Sequence, residues 1–210
     1  MSILTLYLNR IMQWLEKNRP DYGASFLPGL SDAEIRKKLA NVELELPEEI
    51  YELYRWKNGV EDGEDFKSLV PSIEFVDLDK AVEYYRNFRE KPVKVFCKED
   101  YQNVFEKLDD KQLNIYGNYR QLFPFSCFNG RHYYAVLLSK KQQQHSPIID
   151  ISFHLELKSI YRNLMTMMQT IAEYLETGTH YLDNDGFLDG DEEKMLPIFQ
   201  KYNPGFDLIV

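Results

Sequence analysis

Leu46-Pro47-Glu48-Glu49-Ile50-Tyr51-Glu52-Leu53-Tyr54-Arg55-Trp56-Lys57-Asn58-Gly59 spells out a helix together with both of its ends. Pro47 has a fixed φ and no N–H to leave unpaired, which suits the first helical position. Glu48 and Glu49 place negative charge at the positive end of the helix dipole. Ile50, Leu53, Tyr54 and Lys57 recur at i, i+3, i+4 and i+7, giving one inward stripe. Asn58-Gly59 supplies residues suited to a left-handed helix exit. The rest of the chain is expected to pack around this element.

Working outward, the segment before it reads as two helices and a connection. Leu4, Tyr7, Leu8, Ile11, Trp14 and Leu15 keep a helical rhythm over residues 3–18. The opposite face is of mixed charge, which favours docking on a core over lying on a membrane. Residues 19–30 carry Pro20, Gly23, Pro28 and Gly29 and are expected to be a loop. Ser31 followed by Glu34 is a capping box for a helix reaching Leu39 or Ala40.

After Gly59 comes Glu61-Asp62-Gly63-Glu64-Asp65, four acids around one glycine, an exposed loop. Short strand pieces are expected at 68–71 and 73–76. Asp77 or Asp79 then caps a helix carrying Leu78, Ala81, Val82, Tyr85 and Phe88, which ends near Pro92. Residues 99–108 suggest another short helix. From about residue 120 the period becomes strand-like. Arg120 to Phe128 and Arg131 to Ser139 flank Asn129-Gly130, the strongest short hairpin signal. Both faces of the second strand carry apolar side chains, so it should be central. A polar loop, Lys140 to His145, leads to a third strand at 148–153, completing an antiparallel meander. Leu157, Ile160, Tyr161, Leu164, Met167, Met168, Ile171, Tyr174 and Leu175 predict a long helix over 157–177, ended by Gly178. Residues 179–210 form an acidic appendage with a short helix near 191–201. The expected fold is α+β, a small antiparallel sheet of about four to six strands with packed helices. Residues 1–178 form one domain, and 179–210 pack on it.

The LP-to-NG stretch resembles the signature of the SUKH superfamily, which includes fungal cell-wall-assembly regulators and many bacterial toxin-immunity proteins. Leu46, Pro47, Trp56, Asn58 and Gly59 carry the resemblance. Leu27-Pro28-Gly29-Leu30-Ser31, Glu34-Ile35 and Leu44 upstream, and Leu122-Phe123-Pro124-Phe125, Tyr133 to Val136 and Pro147-Ile148-Ile149 downstream, are similar to the family's lead-in and strands. The resemblance implies a SUKH-like single domain and noncatalytic protein binding. For a bacterial chain it implies an immunity protein that neutralises a toxin by direct contact. The alternative it implies is a regulatory or scaffold protein of the cell-wall-assembly-regulator type, although the long disordered flanks of such proteins are missing here.

The bulk numbers narrow the function classes. The chain has 210 residues, enough to bury about 70% of its unfolded surface without disulfides or metal. Net charge is −9, which disfavours nucleic acid and anionic membranes and suits a basic protein partner, possibly a nuclease toxin domain. No apolar run approaches the roughly 20 residues of a membrane span. The N-terminal residues lack the basic start and small-residue cleavage site of a signal peptide. Cys97 and Cys127 are the only cysteines, and free thiols in a reducing cytoplasm fit them best.

Motifs for chemistry fail on spacing. Calcium-loop frames starting at Asp183 or Asp185 put Phe187 where an oxygen ligand is needed. Asp150…Glu156-Leu157-Lys158 superficially resembles the acidic set of metal-dependent nucleases, but its spacing is short and the charge repels DNA. His132, His145, His154 and His180 are scattered. No nucleophile elbow, phosphate loop or dinucleotide fingerprint occurs. The expectation is therefore no enzyme, no cofactor and no metal. The candidate partner-binding residues are two acidic loops, Glu61, Asp62, Glu64 and Asp65, and Asp183, Asp185, Asp189 and Asp191. Their charge would steer encounter with a basic partner.

Overall fold

A computed structural model describes residues 2–61, 74–90, 118–128, 132–151, 157–184 and 188–208. Among the described residues the chain is α+β. It has seven helices, a five-stranded antiparallel sheet and two small two-stranded sheets. The helices are α1 (Ile3–Asn18), α2 (Pro20–Ala24), α3 (Asp32–Lys38), α4 (Glu48–Trp56), α5 (Leu78–Glu90), α6 (Leu164–Glu176) and α7 (Glu192–Tyr202). The strands are β1 (Phe26–Pro28), β2 (Lys57–Val60), β3 (Glu74–Phe75), β4 (Leu122–Phe128), β5 (His132–Leu137), β6 (Ile148–Ile151), β7 (Leu157–Tyr161), β8 (His180–Leu182) and β9 (Leu188–Gly190).

The main sheet runs β3-β4-β5-β6-β7, a meander in chain order, with β5 at its centre. Tyr133 and Ala135 on β5 are fully buried, and Val136 is buried from the other face. Tyr84 and Phe88 of α5 meet Tyr133 edge-on, with centroids 5.2 and 5.1 Å apart, and Tyr85 lies against Phe123 at 5.9 Å. Tyr54 of α4 reaches Phe75 at 5.4 Å, and Phe199 of α7 reaches Tyr161 at 5.5 Å. Helices α1 and α6 lie side by side, joined at one end by the Arg10–Glu176 ion pair. Many of these are tilted or edge-to-face aromatic pairs, a geometry that adds to simple area burial.

The sequence stripes fall where periodicity puts them. Leu4, Leu8, Ile11 and Leu15 of α1 are buried, as are Ile50, Leu53 and Tyr54 of α4. The Ser31–Glu34 capping box is formed in both directions. Asp77 caps α5, its Oδ1 accepting from Asp79 N at 2.9 Å and Lys80 N at 3.1 Å.

Several boundaries differ from the sequence reading. Residues 19–30 contain α2 and β1, because Pro20 starts a helical turn and β1 pairs with β2. Pro47 is the cap residue rather than the first helical one; its ψ of 145° is extended, so the helix begins at Glu48. Asn58-Gly59 is not the helix exit. The chain leaves α4 at Lys57 in extended conformation and becomes β2, and Gly59 takes φ +79° inside that strand. Residues 157–161 are strand β7 rather than the start of the long helix. Asn163 stops the strand and starts the helix: it forms a reciprocal capping box with Thr166, so α6 opens at Leu164. Of the expected strand pieces, the one at 73–76 contains β3; the piece at 68–71, the helix at 99–108, the turn at Asn129-Gly130 and the end of the third strand beyond Ile151 lie outside the described residues.

The C-terminal segment is closely attached. Phe199 is buried, Tyr174 OH donates to Met195 O at 3.0 Å, and Asn203 bridges Thr166 Oγ1 at 2.7 Å and Thr170 Oγ1 at 3.0 Å. Cys127 lies buried in β4 and is in no disulfide among the described residues. Among the described residues no helix is long and apolar enough to cross a membrane.

Candidate functional site

The residues that carry the signature all have structural work. Leu46 is in the core and Pro47 is buried. The N–H of Leu30 donates to Tyr54 O at 2.9 Å, closing the C-terminal end of α4 with the upstream Leu-Pro-Gly-Leu turn. That approach leaves no room at Gly29, where a Cβ would fall 1.8 Å from Arg55 O. Trp56 Nε1 donates to Asn9 Oδ1 at 2.9 Å and its ring meets Phe26 edge-on at 5.8 Å. Asn58 Oδ1 accepts from Leu78 N at 3.0 Å, supplying α5 with a cap from a distant strand. A Cβ on Gly59 would lie 2.4 Å from Asp77 N. Asn-Gly therefore lets β2 press against the entry to α5.

The first turn of α4 anchors the loop between β5 and β6. Glu48 N donates to Gln143 O at 2.9 Å, and Glu45 and Ser139 exchange backbone bonds. Glu49 is buried at 2% exposure; its Oε1 accepts from Ser146 N at 3.0 Å and its Oε2 lies 3.1 Å from His145 Nδ1. Burial raises the Glu49 carboxyl above its ordinary value, with the Ser146 and His145 bonds opposing that shift. A second polar pair sits on the sheet, His132 Nε2 at 2.5 Å from the buried Asp150 Oδ1. Lys158 lies directly across from Asp150 in the β6–β7 register, on an exposed position. Glu156, the other member of that set, is outside the described residues. Glu49 and Asp150 each tie neighbouring elements together. Among the described residues, no group of three or more His, Cys, Asp or Glu side chains is arranged to hold a metal ion.

The acidic candidates divide. In the first loop Glu61 is exposed at the end of β2, its N–H held by Ser25 O at 2.9 Å. Asp62, Glu64 and Asp65 are outside the described residues. In the second, Asp183 follows β8 and is half-buried, Asp189 is exposed on β9, and Asp185 is outside the described residues. Asp191 is the N-cap of α7 and pairs with Lys194 Nζ at 2.6 Å, which holds its carboxyl below the ordinary range. Its charge is therefore committed within the fold.

Sequence reasoning missed Tyr181. It lies opposite Asp189 in the β8–β9 register, is 43% exposed, and its hydroxyl sits 3.5 Å from Asp189 Oδ2. Leu196 on α7 is also exposed, one turn after Glu192 and Glu193. The alternation His180 in, Tyr181 out was the available signal, hidden because three residues are too few to show a period. His180 itself is 2% exposed, its ring tilted against Tyr174 with centroids 4.6 Å apart, and among the described residues neither ring nitrogen has a hydrogen-bond partner. Burial lowers its pKa to about 4.

No protein-family model matches the chain, and no curated protein matches it.

Proposed function

We propose that this chain is a noncatalytic protein-binding module of the SUKH kind, an immunity protein that neutralises a basic toxin domain by occupying its surface. The observation that carries this reading is an exposed tyrosine in an acidic setting: Tyr181 stands opposite Asp189, and the following helix exposes Leu196 beside Glu192 and Glu193. Buried tyrosines at interface centres contribute much of the binding energy, and surrounding charge governs the encounter rate. A net charge of −9 supports attraction to a basic partner. Asp191 N donates to Thr179 O at 3.0 Å and α7 packs on α6, which ties β8 and β9 to the rest of the fold.

The test is co-expression with toxin domains encoded beside the gene, followed by association kinetics. Tyr181→Ala is expected to weaken binding at least about tenfold through faster dissociation. Asp183→Lys/Asp189→Lys is expected to slow association and flatten its salt dependence. Asp191 is left intact because its loss would uncap α7. Failure of every adjacent toxin domain to bind or be neutralised, with regulatory proteins captured instead, would replace this reading with the regulator or scaffold one.

A further inference from the structure

A cavity of about 420 Å³ opens where α5, the chain after α3 and the short 3-10 turn Asn118–Gln121 meet. Among the described residues its walls include Asn41, Glu43, Tyr85, Arg86, Arg89 and Arg120. Three of these six described residues are arginine, in a chain where 34 acids outnumber 25 bases. Arg86 and Arg89 stand three residues apart on α5 and so share a helix face. The 3-10 turn brings Arg120 to them from a distant part of the chain.

Among the described residues, Arg89 is the arginine of the three with a carboxylate partner, and its contacts are informative. Arg89 Nη2 donates to Glu43 Oε2 at 2.8 Å, Nη1 lies 3.4 Å from Tyr85 OH, and the guanidinium sits 5.6 Å over the Tyr85 ring. Tyr85 is buried, so Arg89 rests on a fixed platform. Arg86 and Arg120 are exposed and have no carboxylate partner among the described residues. Glu43 is thus a carboxylate already seated at one edge of an arginine-lined hollow. Its side chain is 73% exposed, and exposed ion pairs of this kind are weak and easily exchanged. Guanidinium groups match the oxygens of carboxylates and phosphates in forked geometry, and the cavity is in the size range of small-molecule sites.

We propose that this cavity is an oxyanion site for a small phosphate- or carboxylate-bearing ligand, held by Arg86, Arg89 and Arg120, with Glu43 as a resident competitor for Arg89. The site is distinct from the β8–β9 surface, so its failure would leave the protein-binding reading standing.

The experiment is calorimetric titration of the full chain with sodium phosphate and, separately, with citrate at constant ionic strength. Saturable binding is expected at roughly millimolar concentration. Arg86→Ala/Arg120→Ala should raise the dissociation constant about tenfold or more with the thermal midpoint retained, because both side chains are exposed. Glu43→Gln should act in the opposite direction and tighten binding several-fold. A preference for phosphate would identify a phosphorylated ligand, and a preference for citrate a polycarboxylate. Non-saturating heats with both anions, or equal affinity in the double arginine variant, would overturn the proposal. Unchanged or weaker binding in Glu43→Gln would remove the competitor.

Discussion

Gly59 resists substitution on two counts, backbone conformation and space. Its φ of +79° and the 2.4 Å approach of a would-be Cβ to Asp77 N are separate penalties. Gly59→Ala is expected to cost about 1–3 kcal/mol from conformation alone, with more from the clash. A urea midpoint within error of the wild type would refute this. Asn58-Gly59 stood out in the sequence, but its purpose did not. A helix exit and a close approach to a distant segment select the same dipeptide, and only the second involves Val76 and Asp77. Glu49 was read as a dipole partner and is in fact a buried tether. Its pKa is raised from the ordinary 4.5, so above 4.5 the folded state holds a proton that the unfolded chain has released. That contribution is fully present below 4.5 and is lost as pH rises through the raised value. Glu49→Gln keeps an acceptor for Ser146 N and has no proton to lose. Wild-type stability relative to the variant should therefore decline with rising pH above 4.5 and then level off. Parallel urea-derived curves from pH 4 to 8 would refute the assignment.

At the scale of elements, long periodic segments were legible and short ones were not. Helices α1, α4 and α5 and the β4–β5 pair were readable because each carries its own stripe, cap or alternation. Strand β7 was misread because its buried residues Ile160 and Tyr161 continue the helical rhythm of α6 backwards. The decisive signal was Asn163, a strong cap residue inside the supposed helix. Strands β8 and β9 were too short to show any period. This C-terminal hairpin has an acid weakness. His180 is neutral in the fold, its pKa lowered from 6.5 to about 4 by burial. A depressed base contributes stability that is present above 6.5 and lost as pH falls towards 4. At about 1.4 kcal/mol per unit, the loss reaches roughly 3 kcal/mol. His180→Leu should flatten this acid limb and cost little at pH 7, because among the described residues neither ring nitrogen has a partner to lose. An acid limb as steep in the variant as in the wild type would exclude His180 as its source.

For the whole molecule, the α+β class followed from strand-like and helical segments succeeding one another with a hairpin between them. The meander β3-β4-β5-β6-β7 bears that out. The candidate site was legible only as charge. Acids announce themselves in a sequence, whereas the exposure of Tyr181, the commitment of Asp191 to α7 and the convergence of Arg120 on α5 depend on tertiary position. One feature of the sheet supplies a clock for the entire fold. Cys127 is buried in β4, at 5% exposure. In a Cys97→Ser background, a thiol-reactive dye can modify Cys127 only when the sheet parts. The modification rate in native buffer should fall below that of the urea-unfolded chain by orders of magnitude, and the ratio reports the opening free energy directly. If that rate climbs with urea as steeply as global unfolding does, the meander opens only when everything opens. A rate indifferent to urea would mean that β4 breathes by itself.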